Sequence, residues 1–318
     1  MTIQKVIEQC LKESPCKVDI RSNEPMKDHT TFKVGGNADF FISPKSDDCI
    51  PFYISLLTLA LKEKIPLFIL GGGANIVVSD KGIRGIVLDM SSWKGECPGD
   101  SSEKDILIFK SGTSIDEAVD TACEYAYSGL EFLAGMPGTI GGAVWMNARC
   151  YSSEIADVLR YVEILCIEEN NYLIKRIDVK NGAGFSYKKS PFQEMDCLII
   201  SAAFNLKKGN KEKILSSMEE NREDRLKKGH YLFPSAGSAF KNNRDFGKPT
   251  GQIIDELGLK GFKIGGAQIA PFHGNIVINT GDASASDIRT LMNEIAAKVK
   301  KDTGFILEPE VLFTGDWN

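Results

Sequence analysis

Two glycine-rich segments have the residue types of loops that bind phosphate groups. Residues 71–75 read Gly-Gly-Gly-Ala-Asn, and the missing Cβ atoms let backbone N–H groups approach a bulky anion closely. Residues 135–143 read Gly-Met-Pro-Gly-Thr-Ile-Gly-Gly-Ala, in which Thr139 can cap a helix whose first N–H groups would face a phosphate. Two such loops in one half of the chain favour a cradle for a dinucleotide, with plain tight turns as the alternative.

Two common nucleotide-binding loops are excluded by their spacing. A Walker A loop ends in Gly-Lys followed by Ser or Thr, and neither segment is followed by that triplet. A Rossmann fingerprint needs a third glycine at a fixed distance, which residues 71–75 lack. The dinucleotide interpretation therefore depends on the glycines and on Thr139.

Composition and charge exclude several classes of protein. A length of 318 residues predicts two or three domains. The formal net charge of -5 argues against broad nucleic-acid binding, although a local basic pocket can still hold a small anion. No apolar run reaches the ~18–20 residues that span a bilayer, and the N-terminus lacks the apolar stretch of a signal peptide. We therefore expect a cytoplasmic protein with no nucleic-acid or membrane partner.

The cysteines and histidines do not form a metal-binding pattern. None of the eight cysteines belongs to a C-x-x-C pair, and the chain has three histidines. We expect reduced thiols and no metal site.

The elements that would position the glycine loops alternate between short strands and helices. Capping signals place helices after Thr2 and after Ser114, whose partner Glu117 completes a capping box. The C-terminal part is more helical and follows a charged segment near 207, where we place a domain boundary. The predicted helices include 2–11, 46–64, 114–129, 211–228, 250–257 and 285–303, and the predicted strands include 66–70, 106–109, 197–204 and 275–279.

Seven sequence blocks carry a resemblance to a known family. In this order along the chain, they resemble the UDP-N-acetylenolpyruvoylglucosamine reductase family. The blocks are HTTFKVGG (29–36), GGGANIVVSD (71–80), GLEFLAGMPGTIGGAVWMNA (129–148), FSYKKSPF (185–192), PSAGSAFKN (234–242), GLKGFKIGGAQIAPFHGNIVIN (258–279) and LEPEVLF (307–313).

The resemblance implies an α+β fold of the vanillyl-alcohol-oxidase/PCMH type. Residues 1–90 and 91–207 would be two FAD-binding subdomains, 208–305 a C-terminal α+β substrate-binding domain, and 306–318 a strand returning to the FAD domain. No inserted tyrosine loop lies between Val158 and Cys197, which indicates the shorter, type II form.

The implied activity is the NADPH-dependent reduction of UDP-N-acetylglucosamine enolpyruvate to UDP-N-acetylmuramate through FAD, in peptidoglycan precursor synthesis. The cofactors would be FAD and NADPH, and the protein would be a monomer. Two alternatives remain open: another FAD-dependent oxidoreductase of the same fold, and a UDP-sugar-binding homologue with weakened catalysis.

The resemblance also assigns site residues. Ser238 would donate a proton to the substrate, and Glu310 would stabilise its enol form; Glu308 would share the strand face of Glu310 if the pairing were regular. Lys188 stands where the family usually has arginine, so a point charge would replace a two-pronged grip on the substrate carboxylate. Substrate contacts are expected from Tyr187, Lys188 and Ser238, and cofactor contacts from Gly71, Gly72, Gly73, Ala74, Asn75, Gly135, Pro137, Gly138, Thr139, Gly141, Gly142 and Asn147.

Three further features have a functional and a structural interpretation. Arg222, Arg225, Lys227 and Lys228 can meet the substrate diphosphate or form a solvated helix face. His273 can contact a ligand or support a turn. The sequence after Ala148 reads Arg-Cys-Tyr, where the family usually has small residues, so flavin contacts are not carried over beyond Asn147.

Overall fold

A computed structural model describes residues 1–45, 47–97, 105–168 and 171–318. These residues form two compact units: the first comprises Met1–Arg21, Phe40–Gly72 and Gly85–Glu223, and the second Ser22–Asp39, Gly73–Arg84 and Asp224–Asn318. The four domain ranges expected from the sequence remain predictions. Among the described residues, no helix is both long and apolar enough to cross a membrane, and none of the cysteines is in a disulfide.

Helices and strands are mixed throughout the chain, which confirms the predicted α+β class. The helices are α1 (Ile3–Glu13), α2 (Ile50–Lys62), α3 (Ile115–Glu124), α4 (Ile140–Trp145), α5 (Ile155–Val158), α6 (Lys211–Lys227), α7 (Thr250–Glu256) and α8 (Ala285–Thr303). The strands are β1 (Val18–Pro25), β2 (Asn37–Pro44), β3 (Leu67–Leu70), β4 (Ile76–Val78), β5 (Ile83–Asp89), β6 (Glu96–Cys97), β7 (Ile106–Lys110), β8 (Tyr127–Ser128), β9 (Arg149–Cys150), β10 (Ser153–Glu154), β11 (Leu159–Glu168), β12 (Asn171–Asp178), β13 (Cys197–Asn205), β14 (Lys207–Lys208), β15 (Lys263–Ile264), β16 (Ala267–Ile269), β17 (Val277–Asn279) and β18 (Leu312–Thr314).

The first unit contains a five-stranded antiparallel sheet in the order β12-β11-β13-β7-β6. Its apolar face packs against α3, α4 and the first part of α6 through side chains that include Phe109, Ile115, Ile140, Phe204 and Met218. Most of a second sheet, in the order β1-β2-β5-β3, also belongs to this unit. Burial of these apolar side chains is the main force that fixes α3 and α4, which flank the second glycine loop.

The second unit is organised around α8. Ser284 and Asp287 form the capping box that begins this helix, and Gly304 ends it in the left-handed conformation at φ 79°. Its apolar stripe packs with β4, α7 and the β15-β16-β17 sheet in one core that includes Val77, Phe240, Ile253, Ile288 and Leu291. Strand β18 pairs in parallel with β4, which holds the C-terminal segment beside the start of that strand.

Most predicted elements occur where the sequence placed them. Helix α1 begins after Thr2, whose hydroxyl accepts the N–H of Lys5 as expected. Helix α3 ends at Glu124, five residues before the predicted Gly129, because the chain turns through a left-handed Ala126 at φ 55°. The predicted cap at Ser46 lies outside the described residues.

Candidate functional site

The two glycine loops contact each other within the first unit. A Cβ atom on Gly72 would lie 2.6 Å from the Cα of Gly138, and one on Gly71 would lie 2.6 Å from the Oγ1 of Thr139. Real Cβ atoms do not approach other atoms so closely, so any side chain here would push the loops apart. The sequence predicted a cradle of two loops without Cβ atoms, and the structure brings the loops together.

The cap at the second loop forms as predicted, but the first amides of the helix are already used. Thr139 precedes α4, and its hydroxyl accepts the N–H of Gly142 at 3.4 Å. The N–H groups of Ile140 and Gly141 donate to the carbonyls of Thr113 and Ser111, at 2.9 and 2.7 Å. The first amides of α4 therefore bind carbonyls of the neighbouring loop of the protein. The prediction that these amides face a phosphate is not met by Ile140 and Gly141.

Other amides of the two loops suit a diphosphate better. In the described part of the chain, the N–H groups of Gly71, Gly72, Gly138 and Thr139 have no hydrogen-bond acceptor on the protein. Thr139 is buried, Gly71 and Gly138 are half-buried, and Gly72 is exposed. Buried amides need a partner, and the absence of Cβ atoms at the three glycines lets a phosphate approach closely enough to supply one. The residues of the two glycine loops therefore fit a dinucleotide. Which of the predicted residues contact the cofactor remains a prediction.

The other residues of the second glycine loop that were predicted to contact the cofactor have the following surroundings. The N–H of Gly135 donates to the Asp116 carboxylate at 2.8 Å, which joins the second loop to α3. Pro137 is exposed, and Gly138 has φ 127°. A Cβ on Gly142 would meet only the Thr139 hydroxyl, at 3.5 Å.

The end of the first glycine loop belongs to the second unit and supports Glu310. The carbonyl of Gly73 accepts the N–H of Thr31 at 3.1 Å. After Ala74, the side-chain amide of Asn75 donates to the backbone carbonyl of Glu310 at 3.1 Å. The backbone carbonyl of Asn75 accepts the N–H of Leu312 at 3.0 Å. Asn75 thus fixes the segment that carries a predicted catalytic residue, and its contact with a cofactor remains a prediction.

Tyr187 and Lys188 form the tip of a tight turn in the first unit. Ser186 and Lys189 bond to each other through both backbone pairs, at 3.1 and 3.0 Å. Lys188 adopts φ 59°, and its carbonyl accepts the side-chain N–H of Gln193 at 3.2 Å. The turn presents a half-buried Lys188 and an exposed Lys189, so the two lysines are not equivalent.

The side chain of Asn147 holds the turn that carries Tyr187 and Lys188. Its side chain is fully buried, and its Nδ2 donates to the carbonyl of Ser186 at 2.9 Å while its Oδ1 accepts the N–H of Ala156 at 3.2 Å. Asn147 therefore positions the segment before Tyr187 and Lys188. Its predicted contact with a cofactor is untested.

The Ser238 segment lies in the second unit and is held by a buried asparagine. Asn275 is 2 % exposed, its Oδ1 accepts the N–H of Phe240 at 3.0 Å, and its Nδ2 donates to the Phe240 carbonyl at 2.8 Å. Its backbone carbonyl accepts the N–H of Ala239 at 2.8 Å. Gly237 has φ 69°, and a Cβ atom there would have no neighbour within 4 Å, so the backbone before the partly exposed Ser238 is uncrowded.

Glu310 is next to the Ser238 segment and is buried. Its N–H donates to the carbonyl of Ala239 at 2.8 Å, and the residue is 8 % exposed. Glu308 is exposed and pairs with the Lys241 ammonium. The chain here makes an isolated bridge at Pro309 in place of a regular strand, so the two glutamates occupy different environments. The structure thus separates two residues that only motif position distinguished in the sequence.

The basic helix and the histidines take mostly structural positions. Arg222 donates to Asp120 at 2.7 Å and to Asp116 at 3.1 Å, which ties α6 to α3 within the first unit. The Nδ1 of His273 accepts the N–H of Asn275 at 3.1 Å, as expected for a turn histidine. Burial lowers the pKa of His273. Burial, together with the charge of Arg225, lowers the pKa of nearby His230 to about 4.

The sequence does not identify two residues beside the candidate site. It predicts Asn275 only as the first residue of a strand, because the burial of this side chain depends on long-range packing that periodicity does not reveal. It marks Arg149 as a departure from the family pattern and gives it no role as a cation of the site. Its guanidinium carbon lies 5.8 Å from the ring centroid of Tyr187.

Two family models match the chain. Residues 227–314 match the C-terminal domain of UDP-N-acetylenolpyruvoylglucosamine reductase. Residues 39–169 match an FAD binding domain, which confirms the expected flavin cofactor.

Full-length relatives give the same result. The chain is 43% identical over 304 residues to the UDP-N-acetylenolpyruvoylglucosamine reductase of Treponema denticola, covering 92% of this chain and 93% of that protein. It is 39% identical over 301 residues to the enzyme of the same name from Borrelia garinii, covering 94% and 95%. A solved structure of the reductase from Thermus caldophilus matches with a TM-score of 0.72 and 32% identity, covering 93% of this chain and 98% of that one.

Proposed function

The chain belongs to the UDP-N-acetylenolpyruvoylglucosamine reductase family, and on this premise we propose that it reduces UDP-N-acetylglucosamine enolpyruvate to UDP-N-acetylmuramate with electrons from NADPH. The reaction converts an enolpyruvyl ether into a lactyl ether and supplies a peptidoglycan precursor. FAD, when bound, supplies the hydride chemistry. The residues of the two glycine loops, led by the amides of Gly71, Gly72 and Gly138, would hold its diphosphate.

The chemistry at the substrate needs a proton donor and a way to spread negative charge. Adding a hydride equivalent to the terminal alkene carbon places negative charge on the carbon beside the carboxylate. We assign the protonation of that carbon to the Ser238 hydroxyl. A hydroxyl is a weak acid, but an enolate-like carbon is strongly basic, and a fixed, short proton path lowers the barrier.

We assign the stabilisation of the enol form to Glu310 and that of the substrate carboxylate to Lys188. A half-buried ammonium stabilises an adjacent carboxylate more strongly than one in bulk water does, because the surrounding medium screens it less. Tyr187 occupies the same turn as Lys188, where it would line the substrate. The shorter, type II form of the family remains our prediction, supported by a hairpin in which β11 and β12 pair directly from Glu168 and Asn171.

The observation that carries this assignment is the 2.8 Å hydrogen bond from the Glu310 N–H to the Ala239 carbonyl. It places a buried carboxyl residue beside the serine motif, whereas the neighbouring Glu308 is exposed. A catalytic pair requires this proximity, and a surface charge would not require the burial.

The proposal is tested with the flavin-loaded Ser238→Ala variant. Removing a general acid typically costs about a hundredfold or more in turnover, so we expect the reduction of the enolpyruvyl sugar to slow by that factor. Reduction of the flavin by NADPH should keep its wild-type rate, because that step needs no proton on the substrate carbon. Unchanged turnover in the variant would overturn the assignment of Ser238. Tight binding of the sugar without turnover by the wild-type protein would instead support a binding protein.

A further inference from the structure

Two departures from the family pattern meet at one place in the first unit. By the resemblance described above, Lys188 stands where the family usually has arginine, and Arg149 stands where it usually has a small residue. The Arg149 guanidinium carbon lies 5.8 Å from the centroid of the Tyr187 ring, one residue before Lys188. The arginine missing from the turn therefore has a counterpart beside it.

The local fold holds these residues in a fixed relation. Asn147 lies two residues before Arg149, and its Nδ2 donates to the carbonyl of Ser186, directly before Tyr187. Asn147 is fully buried, so this link is protected from water. The cation and the turn are thus tied to each other through one short, buried connection.

The N–H groups of the Arg149 guanidinium can donate hydrogen bonds to a ligand. It forms an ion pair with Glu154, opposite it in the β9–β10 hairpin, with 3.6 Å between Nη1 and Oε2. That separation allows an ion pair but is too long for a hydrogen bond. In the residues that the structure describes, the Arg149 side chain makes no hydrogen bond although it is only 31% exposed. A guanidinium with five donors in this state suits an oxyanion ligand.

We propose that Arg149 binds the carboxylate of the enolpyruvyl group together with Lys188. Lysine alone is a point charge that does not fix the plane of a carboxylate, whereas a guanidinium can donate two parallel N–H bonds to it. Arg149 supplies the orienting grip, and Lys188 adds charge. This inference rests on the proposed function, since it concerns the substrate of that reaction.

The test compares two sugars that differ in the carboxylate. UDP-N-acetylglucosamine enolpyruvate carries the carboxylate, and UDP-N-acetylglucosamine carries the same diphosphate without it. Binding of each to the flavin-loaded full-length protein is measured by calorimetry, which does not depend on turnover. For Arg149→Gln we expect affinity for the enolpyruvyl sugar to fall about tenfold or more, as for a lost hydrogen bond to a charged group. Affinity for UDP-N-acetylglucosamine should remain within about twofold of wild type on the same scale.

Two matched controls separate this role from a structural one. Glu154→Gln removes the ionic partner of Arg149 but keeps an oxygen that can accept the N–H at the start of α5. It should leave binding of both sugars unchanged. Lys189→Gln removes a positive charge from the exposed neighbour of Lys188 and should also have no effect. If Glu154→Gln weakens binding as much as Arg149→Gln, the role of Arg149 is structural.

A rescue experiment adds a second readout. In a Lys188→Arg background, the turn itself regains a guanidinium, so Arg149→Gln should reduce affinity for the enolpyruvyl sugar by less than about threefold. Should Arg149→Gln fail to fold, Arg149→Lys keeps the charge and should still lose affinity for the enolpyruvyl sugar alone. Equal losses for the two sugars would assign Arg149 to the diphosphate, and no loss would exclude it from the site; either result overturns the inference. Failure of the wild-type protein to turn over the sugar would overturn the proposed function, and the binding comparison would still decide the role of Arg149.

Discussion

Asn275→Ala should destabilise the second unit and reduce turnover, because this side chain holds the Ser238 segment. Asn275 is 2 % exposed and bonds both the N–H and the carbonyl of Phe240, at 3.0 and 2.8 Å. Truncation leaves two backbone groups without partners in a site that water does not reach. Each such group costs about 1–2 kcal/mol, so the free energy of unfolding should fall by about 2–4 kcal/mol.

Urea unfolding followed by fluorescence measures this loss, and steady-state kinetics measures its effect on the site. Turnover should fall about tenfold to a hundredfold, since a small displacement of a catalytic group has that effect. Asn243→Ala is the matched control, because Asn243 is an exposed cap whose side-chain oxygen accepts the N–H of Asp245. A loss of stability no greater than that of Asn243→Ala would refute the reasoning.

Three further predictions concern the glutamates, the first glycine loop and a histidine. Glu310→Gln should reduce turnover about a hundredfold, as for a lost acid–base group, while Glu308→Gln should leave it unchanged; steady-state kinetics contradicts the assignment if the two variants behave alike. Gly72→Ala should lower flavin content and reduce the free energy of unfolding by about 1–3 kcal/mol, because the added Cβ would lie 2.6 Å from a backbone atom. Gly209→Ala is the control, because its Cβ would meet only side-chain carbons at 3.3 Å or more. Flavin titration and urea unfolding compare the two variants, and equal losses of flavin content and stability would contradict the prediction. Because the pKa of His230 is lowered from 6.5 to about 4, the unfolded chain binds more protons than the folded one between these values. Stability should therefore fall as the pH falls from 6.5 towards 4, and unfolding curves of His230→Gln should show a weaker pH dependence; an identical dependence would count against it.

Local signals were sufficient for most helices and strands. Caps and apolar stripes are short-range features, so Thr2, Thr139 and the α8 apolar stripe could be read directly. The glycines at 71 and 72 predicted the close approach of an anion, since a run without Cβ atoms leaves room for one. In the structure, Gly138 and Thr139 of the second glycine loop lie against these glycines, and the contact with an anion remains a prediction.

Long-range contacts decided what the sequence left open. The predicted shared face of Glu308 and Glu310 assumed a regular strand, and an isolated bridge at Pro309 separates their environments. The roles of Asn147 and Asn275 depend on backbone groups 39 and 35 residues away in the chain. No local pattern identifies such partners, because they meet only after the sheets and helices have packed.

The lysine at position 188 shows how a departure from a family pattern is best interpreted. In the sequence, the change from arginine indicated a weakened grip on the substrate. In the structure, Arg149 lies over the neighbouring Tyr187. On our inference, the positive charge stays at position 188 and the guanidinium that orients the carboxylate is supplied by Arg149.

The most direct test of the central claim is anaerobic flavin spectroscopy on the purified, FAD-loaded protein. We expect NADPH to bleach the visible absorption of the oxidised flavin, and addition of UDP-N-acetylglucosamine enolpyruvate to restore it with formation of UDP-N-acetylmuramate. UDP-N-acetylglucosamine, which has no alkene to reduce, should leave the flavin bleached. A flavin that stays reduced after the enolpyruvyl sugar is added would contradict the account.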